Sequence, residues 1–229
     1  MLVKDIMTTN VLAIDPHTSI GDVSALMEQR NIRHFPILEA QTAKTSTNHS
    51  RGQRSPADSR LVGIVSDRDI RGITSRRDET GKAVALDDPV HTIMIRDVLT
   101  AHPKDPIEEA AKVLREYKIG AMPVLEESTL VGIVTAIDFL DALVRMTGVH
   151  EVGTRLEVEL PNRPGALAGL LARIASHNLS VSSTMTTRAD TEHVSVVLRA
   201  NTIDGHGLAT HLRQDGFTVL WPLEKHTLP

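Results

Sequence analysis

The chain has 229 residues, with 25 Lys and Arg against 29 Asp and Glu. The formal charge of −4 gives no electrostatic footprint for a nucleic-acid backbone or an anionic membrane, and aromatics at 2% leave few platforms for stacking single-stranded bases. Cysteine is absent, which excludes disulfides, thiolate catalysis and Cys-based zinc or iron–sulfur sites.

The first residues, Met1-Leu2-Val3-Lys4-Asp5, carry no positive segment ahead of an apolar run, so no secretory signal is expected. Apolar stretches such as Leu130-Val131-Gly132-Ile133-Val134 are strand-sized and too short to span a bilayer. A soluble cytoplasmic protein is expected. Residues 11–14 read as a short strand. From Ser19, the apolar residues Ile20, Val23, Leu26 and Met27 recur at helical spacing. The runs Phe35-Pro36-Ile37-Leu38 and Leu61-Val62-Gly63-Ile64-Val65 are too short for helices and read as a strand pair, with a second helix after Ser66. Between them, residues 40–60 are nearly free of large apolar side chains and read as a mobile, weakly basic surface loop.

The same order then returns. Val3-Lys4-Asp5-Ile6-Met7 is echoed by Val90-His91-Thr92-Ile93-Met94, 87 residues further on. At that shift Pro16 falls on Pro103, Ile20 on Ile107, Ile32 on Ile119 and Pro36 on Pro123. After the insertion the register slips by 18 residues, and Leu61-Val62-Gly63-Ile64-Val65-Ser66 aligns with Leu130-Val131-Gly132-Ile133-Val134-Thr135. A unit of strand, helix, strand, strand, helix is therefore present twice, over residues 1–75 and 76–148. Each half has little core of its own and is expected to pack against its twin.

After His150 the pattern changes. Arg155-Leu156-Glu157-Val158-Glu159-Leu160 alternates as a half-buried strand, and Pro161-Asn162-Arg163-Pro164-Gly165 breaks it. A helix carrying Leu167, Leu170, Leu171 and Ile174 follows, with Asn162 as its expected N-cap. Two strands, 179–188 and 193–199, a helix through Leu208 and Leu212, and a last strand at 217–221 complete the order βαββαβ over residues 152–225. That order is a ferredoxin-like sandwich. It leaves one sheet face without helices, so dimerisation is expected.

The segment Gly-Ile-Val-Ser/Thr-x-x-Asp occurs twice, ending at Asp69 and Asp138. Ser66 or Thr135 followed three residues later by an acid is close to a capping box. The same geometry also suits a ligand. A helix N-terminus after a strand favours phosphate, a hydroxyl donates to a phosphate oxygen, and a carboxylate one turn on can accept both hydroxyls of a ribose. Arg33 and His34 add cationic groups to the first copy, while the second has Gly120-Ala121. Other constellations are discounted. The eleven His never form a ligand pair such as His-x-x-x-His, and no nucleophile elbow or phosphate loop is present, so neither a catalytic nor a metal site is expected.

Residues 31–38 with 61–70, and 118–125 with 130–139, each resemble a CBS motif. Together with the leading Val-x-x-Ile-Met they resemble a tandem CBS pair (a Bateman module) over about residues 1–145. Asn162-Arg163-Pro164-Gly165-Ala166-Leu167 is similar to the Asp-x-Pro-Gly-x-Leu loop of ACT domains, with Asn162 in place of the acid. The whole arrangement is similar to the bacterial acetoin-utilisation B-type proteins. The implied architecture is α/β (α+β), a CBS pair followed by an ACT domain.

The resemblance implies binding of an adenosine compound (AMP, ADP, ATP or S-adenosylmethionine) as a regulatory ligand rather than a cofactor. Asp69 and Asp138 would take ribose, Ser66 and Thr135 phosphate, and Arg33 and His34 a polyphosphate. Groups around Pro36, Ile119, Met122 and Pro123 would sandwich the adenine. For the ACT unit it implies an effector loop at Asn162, Gly165, Ala166 and Leu167, open to an amino acid, or a unit that only joins subunits. The expectation is a non-enzymatic, homodimeric ligand sensor. The alternative is a constitutive scaffold with vestigial pockets, and an enzyme would need a catalytic group that the sequence does not show.

Overall fold

Helix α1 (Ile20–Arg30) starts at Ser19, whose Oγ accepts from the amide of Asp22, and ends at Asn31 in the left-handed conformation. Its apolar stripe explains why it forms: Ile20, Val23 and Met27 are buried and Leu26 packs on them. β1 (His34–Ala40) then pairs antiparallel with β2 (Ser59–Ser66), and a short helix α2 (Asp67–Arg71) follows directly. The second repeat gives α3 (Ile107–Tyr117), β3 (Ala121–Glu126), β4 (Thr129–Thr135) and α4 (Ala136–Met146). The computed structural model describes residues 1–40, 59–73, 77 and 81–223. Ala40 and Ser59 belong to β1 and β2, so the expected insertion narrows to residues 41–58, which lie outside the described residues.

The two hairpins share one register. His34 stands opposite Ser66 as Ala121 stands opposite Thr135, Ile37 opposite Gly63 as Val124 opposite Gly132, and each ladder shifts after that pair.

The strand expected at residues 11–14 is reduced to a single parallel bridge from Ile14 to Ile37, matched in the second repeat by Ala101 to Val124. Ile14 N donates to Pro36 O and Leu38 N to Ile14 O. The next ladder bond toward the chain start would need an N–H on Pro36, which proline lacks. Pro123 ends the second bridge in the same way, with Ala101 N on Pro123 O and Leu125 N on Ala101 O.

The repeats as counted along the chain are not the cores as packed. Val3, fully buried, joins the cluster of Ala101, Ala110, Leu114, Met122, Val124 and Val134 in the second repeat. Val90 and Ile93, from the second repeat's opening, join Ile20, Val23, Phe35, Ile37 and Val65 in the first. Backbone bonds fix the exchange. Thr8 and Ile133 bond reciprocally at 2.9 and 3.0 Å, and so do Ile95 and Ile64. Glycine permits it: a Cβ at Gly132 would lie 2.5 Å from Met7 Sδ and 3.2 Å from Thr8 O, and one at Gly63 would lie 2.5 Å from Met94 Sδ and 3.1 Å from Ile95 O. Each repeat's opening segment therefore lids the other repeat, and β2 and β4 are in contact.

Contacts divide the chain into two units, residues 1–140 and 141–229, with the division inside α4. In the second unit β5 (Thr154–Pro161), α5 (Ala166–Ser176), β6 (Val181–Arg188), β7 (His193–Ala200), α6 (Gly205–Gln214) and β8 (Thr218–Trp221) form an antiparallel sheet of order β6-β7-β5-β8. This is the expected ferredoxin-like order. Leu156, Val158, Leu160, Leu170, Ile174, Leu198 and Leu212 fill its core. On the opposite face of β5, Glu157 accepts from Arg155 at 2.7 Å and from Ser195 Oγ at 2.9 Å, which holds its carboxyl below the ordinary range.

One local expectation fails here. Asn162 does not cap α5: its Nδ2 donates to Thr191 O and its N–H to Glu192 O, and the N-cap is Gly165 at φ 86° with no side-chain cap. The β6–β7 turn draws the asparagine away from the helix start. Among the described residues no helix is long and apolar enough to cross a membrane, and no group of three or more His, Cys, Asp or Glu could hold a metal ion.

Candidate functional site

The two strand-to-helix junctions are built alike. Each second strand ends in a hydroxyl residue whose following helix returns an acid to it. Ser66 Oγ and Ser66 N donate to Asp69 Oδ2 at 2.6 and 3.0 Å, and Asp69 N donates back to Ser66 Oγ. Thr135 Oγ1 and Thr135 N donate to Asp138 Oδ2 at 2.8 and 2.7 Å. The capping box is complete at Ser66 and Asp69, whereas at the second junction both bonds run from Thr135 to Asp138. Both acids are half-buried.

The start of each first strand is clamped to the start of the helix. Asp67 N donates to Arg33 O at 3.0 Å, and Ala136 N to Gly120 O at 3.1 Å. Arg33 is exposed and His34 half-buried beside it. The imidazole crosses to the other repeat: a Cβ at Gly120 would lie 2.7 Å from His34 Nε2 and 2.9 Å from Cε1. Burial holds the imidazole below its ordinary value; Asp67 and Asp69 act in the opposite direction, and Arg33 and Arg68 add to the depression. The matching second-repeat positions, Gly120, Ala121 and Ile137, carry no charge. Asp67 pairs with Arg71 at 2.7 Å.

The residues expected around an adenine divide. Pro36, Met122 and Pro123 are buried in β1 and β3. Met122 is 1% exposed inside the second repeat's core, so only its backbone can face a ligand. Ile119 is half-buried and packs on that core. In the second unit Asn162 and Gly165 are exposed, whereas Ala166 and Leu167 pack against the core. The contact between His34 and Gly120 is the feature that sequence reasoning missed. Its signal was present as a large pair, Arg33-His34, aligned with a small one, Gly120-Ala121.

The CBS domain family matches residues 3–43 and 90–145. The first match stops where the insertion begins, and β2 and α2 supply the missing half in the register of β4. These matches support a CBS domain pair in the first unit. The CBS domain-containing protein YhcV of Bacillus subtilis is 27% identical over 136 residues, covering 59% of this chain and 81% of that protein. A putative acetoin utilization protein (AcuB) of Vibrio cholerae is 27% identical with a TM-score of 0.50, covering 66% of this chain and 96% of that one. The CBS domain pair of protein MJ0100, solved with 5′-methylthioadenosine and S-adenosyl-L-methionine, is 26% identical over 63% of this chain and 97% of that one, with a TM-score of 0.48. Five relatives bearing enzyme names are spanned over only 14–23% of their own length.

Proposed function

We propose that the chain is a non-enzymatic, cytoplasmic regulatory sensor whose CBS pair binds an adenosine compound. The observation that carries this reading is the duplicated junction, which puts a hydroxyl, an acid and a helix start together twice in one CBS pair. In this reading Asp69 and Asp138 take ribose hydroxyls. Ser66 and Thr135 contact phosphate, and Arg33 and His34 favour a polyphosphate. The backbone around Pro36, Ile119, Met122 and Pro123 encloses the adenine. The C-terminal unit is read as an ACT domain, supported by its βαββαβ order and its Asn162-Arg163-Pro164-Gly165 loop, and it pairs two copies of the chain. An amino-acid effector at that loop would meet Asn162 and Gly165 first, with no acid to hold its ammonium group.

Binding at micromolar affinity corresponds to about −8 kcal/mol, and coupling to a second site to about 1–3 kcal/mol. Such a ligand can shift a conformational equilibrium without being changed, provided the two states differ in affinity for it. One observation favours the scaffold alternative: each acid is already engaged in capping its own helix. Thermal-shift and calorimetric titration with adenosine, AMP, ATP and S-adenosylmethionine separate the two. Saturable binding weakened by Asp69→Asn or Asp138→Asn supports the sensor. The absence of any shift at millimolar concentration, with no small molecule found by mass spectrometry in the purified protein, supports the scaffold.

A further inference from the structure

We infer that His34 is the group by which the CBS pair distinguishes anionic from uncharged adenosine compounds: it takes up a proton when a phosphate arrives, and Gly120 is the seat that holds its ring in place. This rests on the adenosine reading above and adds to it a proton-coupled selection.

The geometry comes first. The imidazole of the first repeat lies against the backbone of the second, with Nε2 and Cε1 2.7 and 2.9 Å from where a Gly120 side chain would begin. The second repeat's small pair is thus the complement of His34 and not simply a lost cationic site. The ring stands at the start of β1, opposite Ser66, where α2 begins. The charged groups that act on it are Asp67, Arg68 and Asp69 of α2, and Arg33 beside it in the chain. Gly120 and the buried Ala121 bring none.

Burial favours the neutral ring, while Asp67 and Asp69 act in the opposite direction. A phosphate within hydrogen-bond distance adds a further anion and stabilises the imidazolium, in which both ring nitrogens donate. Adenosine brings no such charge. The proton comes from solvent, so binding of a phosphate-bearing ligand strengthens as pH falls.

The test measures dissociation constants of ATP and adenosine for the full chain between pH 8 and pH 6, in wild type, His34→Gln and Gly120→Ala. The ligand's own protonation is common to all and cancels in the ratio of wild type to His34→Gln. For ATP that ratio is expected to fall several-fold toward low pH, within the limit of about tenfold per pH unit that one proton allows; for adenosine it stays level. Calorimetry in two buffers of different ionisation enthalpy counts the proton directly. Gly120→Ala displaces the ring and loses the ATP slope; if it does not fold, His34→Gln carries the test alone. An ATP ratio level with pH, or an adenosine ratio that moves with it, overturns the inference while the adenosine reading stands. If neither compound binds at any pH, that reading itself fails and the inference falls with it.

Discussion

The first and second repeats keep the same hairpin register, the same glycine under the same methionine, and the same hydroxyl-and-acid cap. They part at the positions where they meet. His34 lies against Gly120, and α2 has five residues where α4 has eleven. What both copies share is what backbone geometry demands: a proline that ends a ladder, a glycine that admits a thioether, an acid that satisfies free amides. What only one copy holds is charge. A duplication can divide its labour in this way because Arg33 and His34 are not needed to close either core.

The comparison breaks most visibly in the cores. Phe35→Ala is expected to cost about 3–5 kcal/mol and Met122→Ala about 2–5, both read from urea unfolding. Because the opening segments are exchanged, both repeats should unfold together in each variant, apart from any transition of residues 141–229; separate transitions for the two repeats would count against the interlocked arrangement. A sharper probe is the pair Val3→Ala and Val90→Ala, expected to cost about 1–3 kcal/mol each. Hydrogen exchange should then lose protection in α3, β3 and β4 for Val3→Ala and in α1, β1 and β2 for Val90→Ala; loss confined to the variant's own repeat contradicts the swap.

Next in size, Asp69→Ala and Asp138→Ala each remove a helix cap worth about 1–2 kcal/mol, measured as a drop in chemical stability. Under the proposed function they also weaken adenosine-compound binding roughly tenfold, as for one lost hydrogen bond to a charged group. Equal losses of stability with unequal losses of affinity would show which repeat holds the preferred site. The smallest effect is on pH. The fold favours neutral His34, so the unfolded chain binds more protons as the group titrates. Stability from this source is complete above about pH 6.5 and declines as pH falls from there toward the lowered value of the folded state. Melting temperatures at pH 7.5 and 5.5 should show a fall that is smaller in His34→Gln.

The sequence displayed the duplication because apolar spacing and turn residues are local, and a local pattern survives copying. It displayed the helix of Ile20, Val23 and Met27, the paired strands and the βαββαβ order for the same reason. It did not display where Val3 and Val90 go, since Val3 joins residues from Ala101 to Val134 and Val90 joins residues from Ile20 to Val65, and no spacing records them. Residues 11–14 look like a strand by composition, but what stops the ladder is the missing N–H of Pro36, on another segment. Asn162 fits a cap by residue type, but Thr191 and Glu192 sit across a turn and bind it instead. At the site, Ser66 with Asp69 and Thr135 with Asp138 were legible as a motif, whereas the seat of His34 on Gly120 depends on how two copies fold together.

The exchanged lids also decide what can be excised. A gene fragment that follows the written repeat, residues 1–75, would carry a hydrophobic flap belonging to its sister and lack its own Val90 and Ile93. A fragment from just before Ile14 to just after Ile95 keeps the first half's apolar centre whole. The second half becomes a single piece only by circular permutation, with Val3 and its neighbours spliced downstream of α4.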